Sequence, residues 1–140
     1  EKNGPPPEIN LFNEKNNGET MLQLINNKLI KSAHDVSLGG IITAISKMCI
    51  KGNKGIELDK PKSLISDIEY FFSEDQGRYI IEIHPDDLNK VTKVLNENSV
   101  HYEKLGKIIE KHMTINQKTN ITIDELKSYN TNWLTNYMSS

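Results

Sequence analysis

Ser32-Ala33-His34-Asp35-Val36-Ser37-Leu38-Gly39-Gly40, followed by Ile41, Ala44, Ile45, Met48 and Cys49 at helical spacing, reads as strand, glycine turn and helix. Residues 31–36 form the strand, residues 37–40 break it, and the helix runs until Gly52. Such a strand delivers the Asp35 carboxylate, the Ser37 hydroxyl and the glycines Gly39 and Gly40 to the mouth of a helix. Unpaired N–H groups and the helix dipole favour an anion there, and glycines let a ligand approach the backbone. The same residues also suit a plain turn, with Ser37 capping the helix and the glycines supplying the unusual backbone angles. His34 and Asp35 are adjacent on the strand and so point to opposite faces, which argues against an acid/base dyad.

Working outward, Leu22, Ile25 and Leu29 recur at helical spacing ahead of Ile30, predicting a helix despite Gly18. Residues 55–58 read as a strand, and Pro61 opens an ambiguous segment reaching Phe72. Tyr79, Ile81 and Ile83 alternate with Ile80 and Glu82; a strand apolar on both faces apart from Glu82 predicts a central position in a sheet. Pro85, Asp86 and Asp87 open a helix whose buried face is Leu88, Val91, Val94 and Leu95. Residues 100–109 hold one or two strands, and Ile115 and Ile121 flank a hairpin-like return. Thr122 and Glu125 have capping-box spacing before Leu126, Tyr129, Trp133 and Tyr137 on one helical side, with Trp133 expected in the core. Alternating helices and strands with a late hairpin predict an α+β fold, a mixed and largely antiparallel sheet packed with helices.

A second polar segment, Phe72-Ser73-Glu74-Asp75-Gln76-Gly77-Arg78, stands immediately before the apolar strand. It presents a hydroxyl, a carboxylate, an amide and a guanidinium at one strand end, an arrangement able to orient a nucleotide or phosphate. Equally, it fits a turn closed by an ion pair from Glu74 or Asp75 to Arg78. The candidate ligand-binding or cleft-lining residues are therefore Asp35, Ser37, Gly39, Gly40, Ser73, Glu74, Gln76 and Arg78. His84, His101 and His112 lack metal-ligand spacing and read as surface or turn residues, so no metal site is predicted. Cys49 has only apolar periodic neighbours and reads as a small buried hydrophobe.

The 140 residues suffice for one compact core but are few for an enzyme that activates one substrate with ATP and aminates it. Lys and Arg number 17 against 19 Asp and Glu, so the net charge of −2 offers no field for nucleic acid or anionic lipid. No apolar run reaches the length of a membrane span, and the single cysteine suits a reducing, cytoplasmic setting. The chain starts at Glu1 rather than Met, and Pro5-Pro6-Pro7 favours extended backbone, so residues 1–8 read as a linker from an upstream domain and 9–140 as one domain.

In their order, Pro5-Pro6-Pro7, Ser32-Ala33-His34-Asp35-Val36-Ser37, the Gly39-Gly40 helix, Phe72-Ser73-Glu74, Gln76-Gly77-Arg78, Gly106-Lys107-Ile108 and the Trp133 helix resemble the C-terminal domain of the phosphoribosylformylglycinamidine synthase family. Leu38 stands where that family usually has a second Asp, and Asp75 where it often has Ser. Aminoimidazole ribonucleotide synthase and selenophosphate synthetase share this domain type and are the alternatives, together with a structural module that touches no ligand. The resemblance implies an ATP-dependent ligase that turns formylglycinamide ribonucleotide, with ammonia from glutamine, into the amidine. It further implies ATP and magnesium bound mainly outside this stretch, and no catalytic residue within it. The implied partners are upstream domains of the same polypeptide and, in the smaller form of the enzyme, glutaminase and small accessory subunits.

Overall fold

The structure, a computed structural model, describes residues 9–61 and 65–139. The proposed linker, residues 1–8, lies outside them, as do residues 62–64 of the ambiguous segment. In chain order the elements are α1 (Leu11–Asn26), β1 (Ser32–Asp35), α2 (Gly40–Gly52), β2 (Gly55–Leu58), α3 (Asp67–Phe72), β3 (Tyr79–Glu82), a 3-10 turn (Pro85–Asp87), α4 (Leu88–Glu97), β4 (Gly106–Ile109), β5 (His112–Ile115), β6 (Thr119–Thr122) and α5 (Ile123–Met138). The α+β class is borne out, and three of the four strand pairings are antiparallel. The chain divides into two compact units. The first comprises the described residues up to Ala44 with Phe71–Tyr102, the second Ile45–Tyr70 with the described residues from Glu103 on.

In the first unit β1 and β3 pair antiparallel, Asp35 opposite Tyr79 and Ser32 opposite Glu82. Leu24, Val91 and Leu95 form its buried cluster, joined by Met21, Leu29, Ile30, Ile81, Ile83, Val94 and Val100. The Asn10 side chain starts α1 by accepting from Asn13 N–H at 3.0 Å. The helix stops before Leu29 because Lys28 takes a left-handed φ of 56° and Leu29 N–H bonds back to Leu24 O at 3.0 Å. This is a Schellman stop, and it turns Leu29 onto the cluster from outside the helix. The same device ends α4: Ser99 has φ 54° and Val100 N–H reaches Leu95 O at 2.9 Å. Val100 is thereby used for packing, and only Gly106–Ile109 of the expected 100–109 region is strand.

The expected first helix forms as α1; its buried residues are Thr20 and Leu24, while Leu22 is 60% exposed, Ile25 half exposed and Leu29 beyond the helix end. One sequence expectation is corrected here: strand β3 is not central, since among the described residues its partner is β1. Its second apolar side, Ile81 with Ile83, packs on the Leu24 cluster, so apolar faces signal cover by helices as readily as by strands.

The second unit holds a four-stranded sheet in the order β4-β2-β5-β6, with β2 parallel to β5 and the other pairs antiparallel. Leu58, Met113 and Ile123 are buried, as is Cys49, whose thiol pKa is pushed up to about 11 by desolvation. Gly52 is the last residue of α2; Asn53, at φ 50°, makes the turn, with Lys54 N–H bonding to Cys49 O at 3.2 Å. The capping box of α5 is present: Glu125 N–H donates to Thr122 Oγ1 at 3.1 Å and Thr122 N–H to Glu125 Oε2 at 2.8 Å. Beyond it, the expectation of a core Trp133 fails, because residues 128–139 are all exposed and Trp133 is 62% exposed. The box secures the start of the helix, and Ile123 is the buried anchor.

Leu24→Ala should cost about 2–5 kcal/mol by opening a cavity in a fully buried cluster, while Leu22→Ala should change stability by no more than about 0.5 kcal/mol; urea denaturation of both variants checks this. A second expectation concerns pH. The Glu125 carboxyl is held below its usual value of 4.5, first by the Thr122 hydroxyl and then by the Thr122 N–H. A lowered folded-state pKa stabilises above the ordinary value and is lost as pH falls through the lowered one. Circular dichroism should therefore show α5 fraying below pH 4.5 in the native chain, and Glu125→Gln should remove that part of the acid dependence.

Candidate functional site

The antiparallel register brings the two polar segments to one end of the β1–β3 pair. Asp35 is the last residue of β1 and lies opposite Tyr79, the first of β3. Val36 N–H extends the ladder by donating to Arg78 O at 2.9 Å. The chain thus leaves β1 into residues 37–40 beside the point where residues 73–78 enter β3.

Contacts beyond the ladder join the segments. Gly39 N–H donates to Glu74 Oε1 at 2.7 Å, so the chain's own carboxylate lies at the mouth of α2. The group at this helix start is the Glu74 side chain, not the ligand anion that the sequence suggested the place could take. Gly39 has φ 81° and Gly40 φ 69°. A Cβ on Gly40 would lie 2.7 Å from Phe71 O and from the Phe72 carbonyl carbon, so the turn rests on the backbone ending α3. Gly40 N–H donates to Ser37 O at 3.0 Å, while the Ser37 and Leu38 side chains face solvent. Leu38 is the residue that departs from the Asp usual in the family that the sequence resembles.

Arg78 Nη2 donates to Ser73 O at 2.5 Å and to Ser73 Oγ at 3.1 Å, and stands 3.4 Å from Asp75 Oδ2. Of the two ion pairs that the turn reading allowed, the one to Asp75 forms; Glu74 goes to Gly39. Burial alternates along β1, with His34 half-buried and Asp35 exposed, as opposite faces require; even so, His34 Nδ1 lies 2.6 Å from Asp35 O and 3.5 Å from Asp35 Oδ1. Nδ1 is engaged by a main-chain carbonyl, an arrangement that orients the ring rather than poising a base.

Gln76 and Arg78 also line a cleft of about 230 Å³ with Asn10, Asn13 and Asn17 of the α1 region. Asn17 Nδ2 donates to Gly77 O at 3.0 Å and holds α1 against the turn. The sequence reading missed these asparagines, although their spacing of three and four residues puts them on one helical face. The cleft offers amide donors and acceptors beside a guanidinium, a set that suits polar, planar or anionic groups. A larger cavity of about 460 Å³ in the second unit, beside Lys54, Lys111 and His112, holds none of the sequence-predicted residues. Among the described residues no group of three or more His, Cys, Asp or Glu is placed to hold a metal ion.

Residues 1–117 match the family profile described as AIR synthase related protein, C-terminal domain. The phosphoribosylformylglycinamidine synthase subunit PurL of Pelagibacter ubique is 67% identical over all of this chain, which covers 19% of that protein. The subunit of the same name from Caldanaerobacter subterraneus is 38% identical over 86% of this chain, and the chain spans 16% of it. The chain thus spans about a fifth or less of the curated relatives it matches. Among solved structures, Thermotoga maritima PurL complexed with FGAR superposes with a TM-score of 0.74 at 20% identity, over 84% of this chain and 21% of that one. PurLQS from the same organism gives 0.75 at 19% identity, over 86% and 22%. These structural likenesses speak for the fold.

Gly40→Ala should destabilise the first unit by more than about 1–3 kcal/mol, because backbone strain at positive φ adds to the contact with the Phe71–Phe72 main chain. Arg78→Ala should cost about 1 kcal/mol through its half-buried bonds to Ser73. Thermal denaturation of both variants measures the order, Gly40→Ala the larger.

Proposed function

Since the chain belongs to the AIR synthase related protein family, by its C-terminal domain, we propose that it is a piece of a phosphoribosylformylglycinamidine synthase. That enzyme is an ATP-dependent carbon–nitrogen ligase of purine biosynthesis. It converts formylglycinamide ribonucleotide, with ammonia released from glutamine, into formylglycinamidine ribonucleotide. The observation that carries the proposal is the 67% identity to a PurL subunit along the whole chain, including α5, which lies beyond the family match.

In that reaction ATP activates the formyl amide oxygen and ammonia then displaces it. Residues 9–140 act as a domain that presents the end of the β1–β3 pair to a nucleotide-facing cleft completed by upstream domains. Asp35, Ser37, Gly39 and Gly40 shape one side; Ser73, Glu74, Gln76 and Arg78 shape the other. Their contribution is to position and to exclude water rather than to transfer protons. ATP and magnesium are bound mainly by the upstream parts of that enzyme. Glutaminase and small accessory subunits complete the assembly in the smaller form of the enzyme, and the setting is the cytoplasm.

One observation favours a second reading, a scaffold that touches no ligand. Glu74 and Arg78 are already engaged within the chain, by Gly39 and by Ser73 with Asp75. Titration of the labelled chain with inorganic phosphate and with formylglycinamide ribonucleotide separates the two. Amide shifts confined to residues 35–40 and 73–78 support the cleft, and their absence leaves the scaffold. The chain alone, given ATP, magnesium, ammonia and formylglycinamide ribonucleotide, should form no amidine. Measurable turnover would overturn its assignment as a non-catalytic piece.

A further inference from the structure

We propose that Asn17 is a positioning residue for Arg78: it fixes the peptide plane ahead of Arg78 and so sets the guanidinium that lines the cleft beside α1. The inference rests on the reading of Arg78 as a ligand-facing group. Lys and Arg together number 17 in this chain, and Arg78 is the only arginine. A sequence that supplies every other such side chain as lysine uses the planar fork here rather than charge alone. The fork is partly committed within the chain. Nη2 is held by Ser73 O, Ser73 Oγ and Asp75 Oδ2, and Nε donates to Asp75 O at 3.4 Å. Among the described residues Nη1 takes part in no hydrogen bond or ion pair, which leaves one donating nitrogen for an anionic or carbonyl group.

The direction in which the Arg78 side chain leaves the backbone is set by the two rigid peptide planes that flank its Cα. The plane after it is tied down by Val36 N–H, which donates to Arg78 O at 2.9 Å. The plane before it carries Gly77 O, and Asn17 Nδ2 donates to that oxygen at 3.0 Å. Gly77 stands at φ 66° and, lacking a Cβ, has the freedom to turn that plane over. Asn17 removes this freedom from outside the turn. The approach of α1 depends on small residues: a Cβ on Gly77 would lie 3.0 Å from Glu14 Cγ, and one on Gly18 would lie 3.8 Å from Tyr79 Oη. Leu24 anchors the same helix in the buried cluster, so Asn17 ties the setting of Arg78 to the core of its unit.

Because Arg78 is the only arginine, its Nε–H gives one unambiguous signal in heteronuclear NMR spectra of the 140-residue chain. Asn17→Ala and Asn17→Asp, the second keeping the shape but losing the donor, should both shift that signal toward the position of arginine in a short unstructured peptide. Its exchange with water should quicken by about fivefold, as the loss of one hydrogen bond implies. Asn16→Ala is the control, since Asn16 Nδ2 donates to Asn98 O at 2.7 Å from the neighbouring position of α1. That variant removes a comparable part-buried bond without touching Gly77; it should lower stability in urea as much as Asn17→Ala does and leave the Arg78 signal in place. An Arg78 signal unchanged in both Asn17 variants overturns the proposal. So does an equal shift in Asn16→Ala, which would make the effect a loosening of α1 as a whole. The measurement uses no ligand, so its failure is distinct from failure of the ligand-facing reading, which the phosphate titration tests.

Discussion

The missing side chain at Gly40 is the constraint on which the candidate site depends. At φ 69° and with a Cβ position 2.7 Å from Phe71 O, only glycine lets the chain leave β1, turn and start α2 against the end of α3. Once that turn is seated, Gly39 N–H meets Glu74 at 2.7 Å, and the register of β1 with β3 carries Arg78 alongside. The two polar segments, 33 or more residues apart in sequence, are one structure because of this close approach and the ladder beside it.

An anion-receptive helix mouth need not wait for a ligand. Glu74 supplies negative charge where the α2 backbone is electropositive, and it does so from a neighbouring turn rather than from the usual capping position. A ligand anion at this place would have to displace or share that carboxylate. The amide-lined cleft of about 230 Å³ between Gln76, Arg78 and the asparagines of the α1 region is a separate polar feature beside it.

Much of this was legible in the sequence because local rules agreed with tertiary ones. The β1–turn–α2 segment, the capping box of α5 and the late hairpin each appear where turn chemistry and periodicity put them. What was not legible depended on neighbours. Lys28 and Ser99 give no glycine-like signal, yet both adopt left-handed angles so that Leu29 and Val100 can fold back onto Leu24 and Leu95. The spacing of Leu22, Ile25 and Leu29 announced a helix but not its buried residue Leu24, nor the row Asn10, Asn13 and Asn17. Strand β3 looked central because helices bury its faces, and Trp133 looked buried because an aromatic stripe at helical spacing does not say what covers it. At the site, residue types announced the two segments; that Glu74 rather than Asp75 would reach Gly39 required the turn geometry.

Hydrogen exchange at the Gly39 amide, compared between the native chain and Glu74→Gln, tests the link between the two segments most directly. The Gly39 N–H should be protected in the native chain and lose most of that protection in the variant, while amides of the β1–β3 ladder such as Val36 stay protected. Equal exchange at Gly39 in both chains would contradict the joining of the two segments through Glu74.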